Sequence, residues 1–368
     1  MGSEMNREKL LDKFKGKPVV ELPTPSIVAD ITAIDANLAK MDGFFAGSGI
    51  KLRPHFKSHK CVTLARRQMS QSNTVGITCA KLSEAEQLVI GGVHDVLIAN
   101  QVIGRDKTAR IAKMNRKAAV RVAVDSKLGI EQLSGAAQNT GVTIGVFIEI
   151  DIGMNRGGVQ PGEPVLDLAE IISGMPGIRF DGIQSYEGHI VTLEDYDERK
   201  RRVEQDLKPV IETKKLLVQK GFQTIISSGG TGTYDITGNI EGVDELQCGS
   251  YVLMDSSYKK IRPEFENARY VLATIISDQK ESKTVDVGLK GVGAEYGTPE
   301  VIAYPEAKLL GIAEEHLVIE KLDASIGDKI RLIPPHGCTT NNLYAKMWIT
   351  RNDIIEDVWA IEGRGCLE

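Results

Sequence analysis

Nothing in this sequence points to a membrane, a nucleic acid or a disulfide framework. No apolar run approaches the roughly eighteen residues that a membrane-spanning helix needs, and the amino end, MGSEMNREKLLDKFKGK, lacks the apolar stretch of an export signal. Neither sign of charge dominates. Lys and Arg number 45 against 50 Asp and Glu, interleaved along the chain, which leaves no basic face for nucleic acid or an anionic bilayer. Cysteine is scarce and odd in number: Cys61, Cys79, Cys248, Cys338 and Cys366 stand far apart, a usage that suits a reducing compartment and leads us to expect a cytoplasmic protein. What remains is 368 residues, 42% of them hydrophobic, enough for one large barrel plus a smaller module or for two comparable domains. The expected partner is a small molecule.

Between residues 51 and 250, short runs rich in Val and Ile alternate with stretches of helical periodicity, the pattern of βα units around a parallel sheet. Eight strand candidates can be counted: KLRPHFK (51–57), TVGITCA (74–80), DVLIAN (95–100), AVRVAVD (119–125), TIGVFIEID (143–151), IRFDGIQSYEG (178–188), TIISSGG (224–230) and ELQCGSY (245–251). Helix candidates between them include LSEAEQLVIGG (82–92) and the charged stretch 193–221, acidic at its start and lysine-bearing toward its end, as the helix dipole prefers. Eight such repeats predict a (β/α)8 TIM barrel. A doubly wound open sheet fits less well, because the turn after its first strand is usually Gly-rich and here reads HFKSHK. Beyond about residue 260, alternating apolar and polar runs (268–277, 283–289, 329–335, 354–363) predict a C-terminal, mostly antiparallel β domain. The expected domains are residues 26–260 for the barrel and residues 1–25 with 261–368 for the β domain, with SIVADI (26–31) also able to join the second sheet.

A barrel of this kind collects its chemistry at the carboxyl ends of its strands and commonly holds phosphate in the loops after strands seven and eight. Strand seven runs into SSGGTGTYD, with Ser228, Gly230, Thr231 and Gly232, and strand eight into CGSY, with Gly249, Ser250 and Tyr251. Glycine and hydroxyl residues at those two strand ends let backbone N–H groups approach a phosphate. Strand one ends in RPHFKSHK. There Lys57 sits among Arg53, His55, His59 and Lys60, a cationic neighbourhood of the kind that lowers an amine's pKa and suits it to a Schiff base with an aldehyde cofactor. Strands five and six add Arg156, Gln184, Tyr186 and His189 to the same rim: Arg156 to hydrogen-bond a cofactor ring, Tyr186 to stack or bond. In the β domain, PPHGCTTNNLY sets His336 and Cys338 two apart. An imidazole and a thiolate on alternate positions of a strand or turn can share one divalent ion, zinc being the softest common choice, and two protein ligands leave places for substrate.

With these motifs the chain resembles the alanine-racemase-type (fold type III) pyridoxal-phosphate enzymes, and within them the branch of D-threonine aldolase, 3-hydroxy-D-aspartate aldolase and D-serine dehydratase. RPHFKSHK matches the lysine segment, GGTGTYD and ELQCGSYVLMD the phosphate loops, and ENARYVLATIIS, VDVGLK and PPHGCTTNNLY the β domain, so the likeness covers nearly the whole chain. It implies pyridoxal 5'-phosphate on Lys57, a divalent metal (Zn, or Mn or Mg) on His336 and Cys338, a D-configured β-hydroxy-α-amino acid as substrate and a homodimer. SGGTGTYD, YEGH and LQCGSYVLMD are similar to the aldolases. The cysteine at 338 is similar to the D-serine dehydratases, since the aldolases usually pair the histidine with aspartate.

The expected reaction is aldol cleavage to glycine and an aldehyde, with His59, His189 or a metal-held water as the base. The alternative is dehydration to a 2-oxo acid and ammonia, in which Lys57 takes the α-proton. A racemase would need a second acid or base on the opposite face and would give a metal no role. A noncatalytic pyridoxal-phosphate carrier would not need the second domain.

Overall fold

The computed structural model describes residues 2–279 and 281–368. The chain forms two compact units. One comprises Met41–Lys57, Leu64–Gly249 and Cys366–Glu368, the other Met1–Lys40, Ser58–Thr63 and Ser250–Gly365. No helix among the described residues is long and apolar enough to cross a membrane.

The first unit carries eight parallel strands: Lys51–Leu52, Ile77–Cys79, Asp95–Gln101, Ala119–Val124, Ile144–Ile150, Ile178–Ser185, Ile225–Ser228 and Glu245–Leu246. From the second to the eighth each pairs with its neighbour in chain order, and the first pairs with the last. Isolated bridges from Leu52 to Thr74 and from His55 to Thr78 tie the first strand to the second segment, which closes the barrel. The helices Leu82–Ile90, Arg105–Met114, Lys127–Thr140, Glu163–Ser173 and Tyr196–Gln219 separate the middle strands. Their local causes are visible in sequence. Val165, Leu166, Leu168, Ala169 and Ile172 make a buried stripe at helical spacing, and the Asp195 carboxylate caps the longest helix by accepting from the Glu198 N–H at 2.7 Å.

The first and last strands are shorter than the sequence led us to expect. Pro54 has no N–H to donate to a ladder, so regular pairing stops at Leu52 and Lys57 falls in a 3-10 turn, Phe56–Ser58, instead of on the strand itself. The eighth strand likewise stops at Leu246, and Ser250–Val252 is again a 3-10 turn.

The barrel interior is polar where many barrels are packed with Val, Ile and Leu. Arg53 pairs with Glu245 at 2.9 Å and with Asp95. Arg121 joins Asp95 at 2.6 Å to Asp181 at 2.8 Å, and Arg179 adds a fork onto Asp181. Ser227 donates to Glu245, Gln247 to Ser227 and Gln184, and Gln184 to Glu149, so one continuous chain of polar side chains crosses the strands.

The second unit is built on a mostly antiparallel sheet. Arg269–Asp278 is its longest strand and pairs with Ser282–Val285, Lys329–Ile333 and Ser26–Asp30. The segment Ser26–Asp30 therefore lies in this sheet, where it also pairs in parallel with Lys346–Arg351. Residues alternate across the long strand: Val271, Ala273 and Ile275 enter one core with Val285, Leu317 and Ile319, while Tyr270 and Leu272 enter another with Phe14, Val28 and Trp348.

Candidate active site

In the barrel unit, Tyr186 is the hub. The Lys57 ammonium lies 5.3 Å from its ring centroid and the Arg156 guanidinium 5.9 Å, and a Cβ built on Gly230 would touch the same ring at 3.3 Å. Four of the expected residues, from strand ends one, five, six and seven, are thus brought together. Gln184 is buried and engaged with Glu149 and Gln247. Ser228 donates to the Ser185 carbonyl at 3.0 Å and lies 3.3 Å from Glu187. Gly232 packs so tightly against the chain that an added Cβ would stand 1.9 Å from the Val191 carbonyl oxygen, so no larger residue fits there.

The glycine loop is held by a residue that the sequence reading passed over. Glu187, fully buried, accepts from the hydroxyls of Thr233 (2.8 Å), Thr237 (2.6 Å) and Ser228, and from the Gly229 N–H (3.3 Å). The signal was present in YEGH as an acid between a tyrosine and a glycine. Its donors, however, lie 41 to 50 residues further along the chain.

Glu149 was also missed. It is buried on the fifth strand, and its carboxyl is pushed up to about 7, by burial first and by Asp125 and Asp151, against the opposing pull of Gln184 and Arg156. His189 carries its Nε2 2.9 Å from the Asp206 carboxylate, an arrangement that orients the ring. Gly249 ends the barrel stretch of the chain, and Ser250 and Tyr251 belong to the second unit.

In the second unit, His336 and Cys338 are side by side, though not on a strand. His336 is the N-cap of the short helix Gly337–Asn342. Its extended backbone (φ -139°, ψ 120°) takes its side chain off the helical spacing, so that it reaches Cys338. Burial works against a charged His336, but its hydrogen bond to and electrostatic interaction with Cys338, together with Glu295, carry it up to about 9. Glu295, from the loop after Val292, meets the His336 Nδ1 and accepts from the Thr339 hydroxyl at 2.5 Å. Partial burial acts to raise this carboxyl, and the Thr339 hydroxyl and the His336 ring outweigh that and hold it below the ordinary glutamate range.

Ser250, Asp255, Arg269 and Cys338 line one narrow cleft of this unit. The buried Asp255 carboxylate accepts from the Gly337 and Tyr258 N–H groups, both at 2.9 Å, and fixes the start of the helix. Tyr251 is buried against Phe265, with ring centroids 6.0 Å apart. His59, also in this unit, is fully buried and accepts from the Cys61 N–H at 3.1 Å. No group of three or more His, Cys, Asp or Glu side chains able to hold a metal ion occurs among the described residues, so an ion on His336 and Cys338 would have two protein ligands and open coordination positions.

Comparison with known proteins agrees with this architecture. Residues 29–257 match the family described as alanine racemase, N-terminal domain, and residues 268–350 the putative serine dehydratase domain. The chain belongs to the alanine racemase N-terminal domain family, whose members imply pyridoxal phosphate as cofactor. The 3-hydroxy-D-aspartate aldolase of Paracoccus denitrificans is 35% identical over 94% of this chain and 93% of its own length. The crystal structure of D-threonine aldolase from Filomicrobium marinum is 34% identical, with a TM-score of 0.94 over 96% of this chain and 99% of that one. The D-threo-3-hydroxyaspartate dehydratase of a Delftia strain is 26% identical over 88% of this chain and 92% of its own length.

Proposed function

We propose that this chain is a pyridoxal-phosphate-dependent lyase that cleaves a D-β-hydroxy-α-amino acid, of the D-threonine or 3-hydroxy-D-aspartate kind, to glycine and an aldehyde. The observation that carries this is the likeness to aldolases over more than nine-tenths of both chains, against 26% identity to the dehydratase.

Pyridoxal phosphate, when bound, supplies the electron sink for chemistry at Cα, and a divalent ion supplies a Lewis acid for a hydroxyl. The chain's own residues do the rest. Lys57 offers the amine that holds the cofactor aldehyde, with Tyr186 and Arg156 flanking it. Backbone N–H groups of Gly230, Thr231, Gly232, Gly249 and Ser250 are the donors for the phosphate, and Glu187 keeps the first of these loops in shape. His336 and Cys338 are the ligands for the ion. Of the candidate bases, His189 is the better placed: its ring is oriented by Asp206 and partly open to solvent, whereas His59 is fully buried. We further read the protein as cytoplasmic and as a homodimer; light scattering of the purified chain checks the second reading.

The test is product analysis with D-threonine, D-serine and 3-hydroxy-D-aspartate, with and without chelator. Glycine plus an aldehyde supports the reading. A 2-oxo acid and ammonia as the main products overturn it in favour of dehydration, for which Cys338 is the feature that speaks.

A further inference from the structure

From the loop that follows Val292, we infer that Glu295 and Tyr296 are positioning residues that hold the His336 ring in the one orientation able to ligate a divalent cation together with Cys338. This rests on the metal reading proposed above and adds two residues to it.

The geometry begins with the ring. An imidazole alone at the start of a short helix can rotate about two side-chain bonds, and each ring flip exchanges the nitrogen that faces its neighbour. Here both freedoms are removed. The Glu295 carboxylate takes the Nδ1 side, and the Tyr296 ring lies across the imidazole with centroids 4.5 Å apart at 37°. An Nδ1–H donated to a carboxylate leaves the Nε2 lone pair as the free ligand and makes it more basic, the usual outer arrangement around metal-binding histidines.

The carboxylate is itself held, since the Thr339 hydroxyl donates to the same Oε1 at 2.5 Å. The loop backbone is pinned as well: the Gly293 N–H donates to the Thr340 hydroxyl at 3.1 Å, and that hydroxyl in turn donates to the His336 carbonyl at 2.7 Å. Gly293 is required for this approach. A Cβ there would stand 2.2 Å from the Thr339 hydroxyl and 2.9 Å from the second Glu295 oxygen. Nothing in the packing of the sheet requires a half-exposed glutamate and an exposed tyrosine against this histidine, and an orientation device accounts for both.

The experiment measures ion affinity directly, on the cofactor-loaded protein, by competition for Zn2+ and Mn2+ with a chelating dye, while the cofactor absorbance reports that the fold is intact. Glu295→Ala should weaken ion binding by roughly 10- to 100-fold, as loss of such an outer partner commonly does. Glu295→Gln, whose amide oxygen still accepts from Nδ1–H, should recover most of that loss. Tyr296→Ala should weaken binding by about 3-fold and Tyr296→Phe hardly at all, since the ring and not the hydroxyl does the holding. Unchanged affinity in Glu295→Ala overturns the inference while leaving the metal reading intact. A loss in Glu295→Gln as large as in Glu295→Ala overturns it too, because Glu295 would then be a direct ligand. If the wild-type protein takes up no ion, both the inference and the metal reading fall.

Discussion

Glu187 in the barrel and Glu295 in the β domain each hold a functional segment in place, and they do so under different conditions. Glu187 is fully buried and accepts from four donors between Ser228 and Thr237, whereas Glu295 is half exposed and touches one ring and one hydroxyl. A buried carboxylate with four partners cannot let go without leaving those donors bare, so the glycine loop is set before any ligand arrives. A carboxylate at the solvent edge holds through fewer contacts, so the grip of Glu295 on the His336 ring is lighter than that of Glu187 on its loop, while it still sets the orientation of the ring. A cofactor retained through many turnovers suits the first arrangement. An ion that exchanges with solution suits the second.

The largest test of this contrast is Lys57→Ala. It should abolish the absorbance of lysine-bound pyridoxal phosphate and lower turnover by at least about a hundredfold, with the circular dichroism of the barrel unchanged. If borohydride traps the cofactor on a different lysine, the barrel side of the comparison is misassigned.

Chelation should separate the two regions next, removing turnover while the cofactor absorbance stays. Cys338→Asp, which replaces a soft thiolate by a hard carboxylate, should shift preference from zinc toward manganese or magnesium; an unaltered metal preference would remove Cys338 from the ion. Glu187→Ala should cost about 3 kcal/mol of stability in urea unfolding, because buried hydroxyls and an N–H lose their acceptor at roughly 1–3 kcal/mol each before relaxation. Glu187→Ala should also raise the pyridoxal phosphate concentration needed for half-saturation. A variant as stable as the parent would mean that the loop is set by its glycines alone.

The smallest expected effect concerns Glu149. Its folded-state pKa of about 7 lies above that of an exposed glutamate, so the folded chain holds a proton that the unfolded chain has already released. The stability tied to that proton is present below about pH 4 and is lost as pH rises through 7. Glu149→Gln should therefore gain little at pH 5 and most at pH 8, by at most about 3 kcal/mol. A melting-temperature difference that does not change between those two pH values would contradict the burial argument.

The regular parts of this fold were legible in the sequence because they depend on local period. Eight apolar runs became eight parallel strands, and the glycine runs fell at strand ends as the barrel rule requires. The convergence of Lys57, Arg156 and Gly230 on Tyr186 could be expected for the same reason, since all four lie on the segments that follow strand ends, Tyr186 and Gly230 at once and Lys57 and Arg156 a few residues further on. The exact end of strand one was not legible, since Pro54 stops the ladder while the extended backbone continues to His55. Glu187, Glu149 and Glu295 escaped because their roles depend on partners far along the chain, 35 residues away for Gln184 and 44 for Thr339. A lone acid on an apolar strand or in a loop carries no local sign of what it will meet.

One consequence follows from the ions inside the barrel. Arg53 comes from the first strand segment, Asp95 from the third, Arg121 from the fourth, Asp181 from the sixth and Glu245 from the eighth, so the pairs reach across the ring where a slipped alignment would be felt most. Sliding any of these strands by one residue turns its charged side chain out of the interior and strands a guanidinium or carboxylate without a counter-ion, at a penalty of about 3–5 kcal/mol for the buried Arg53–Glu245 pair and less for the partly exposed pairs of Asp95 and Arg121. The ions thus act as a checksum on barrel closure: Arg53 must find Glu245 on one side and Asp95 on the other, and only a ring assembled in step satisfies both.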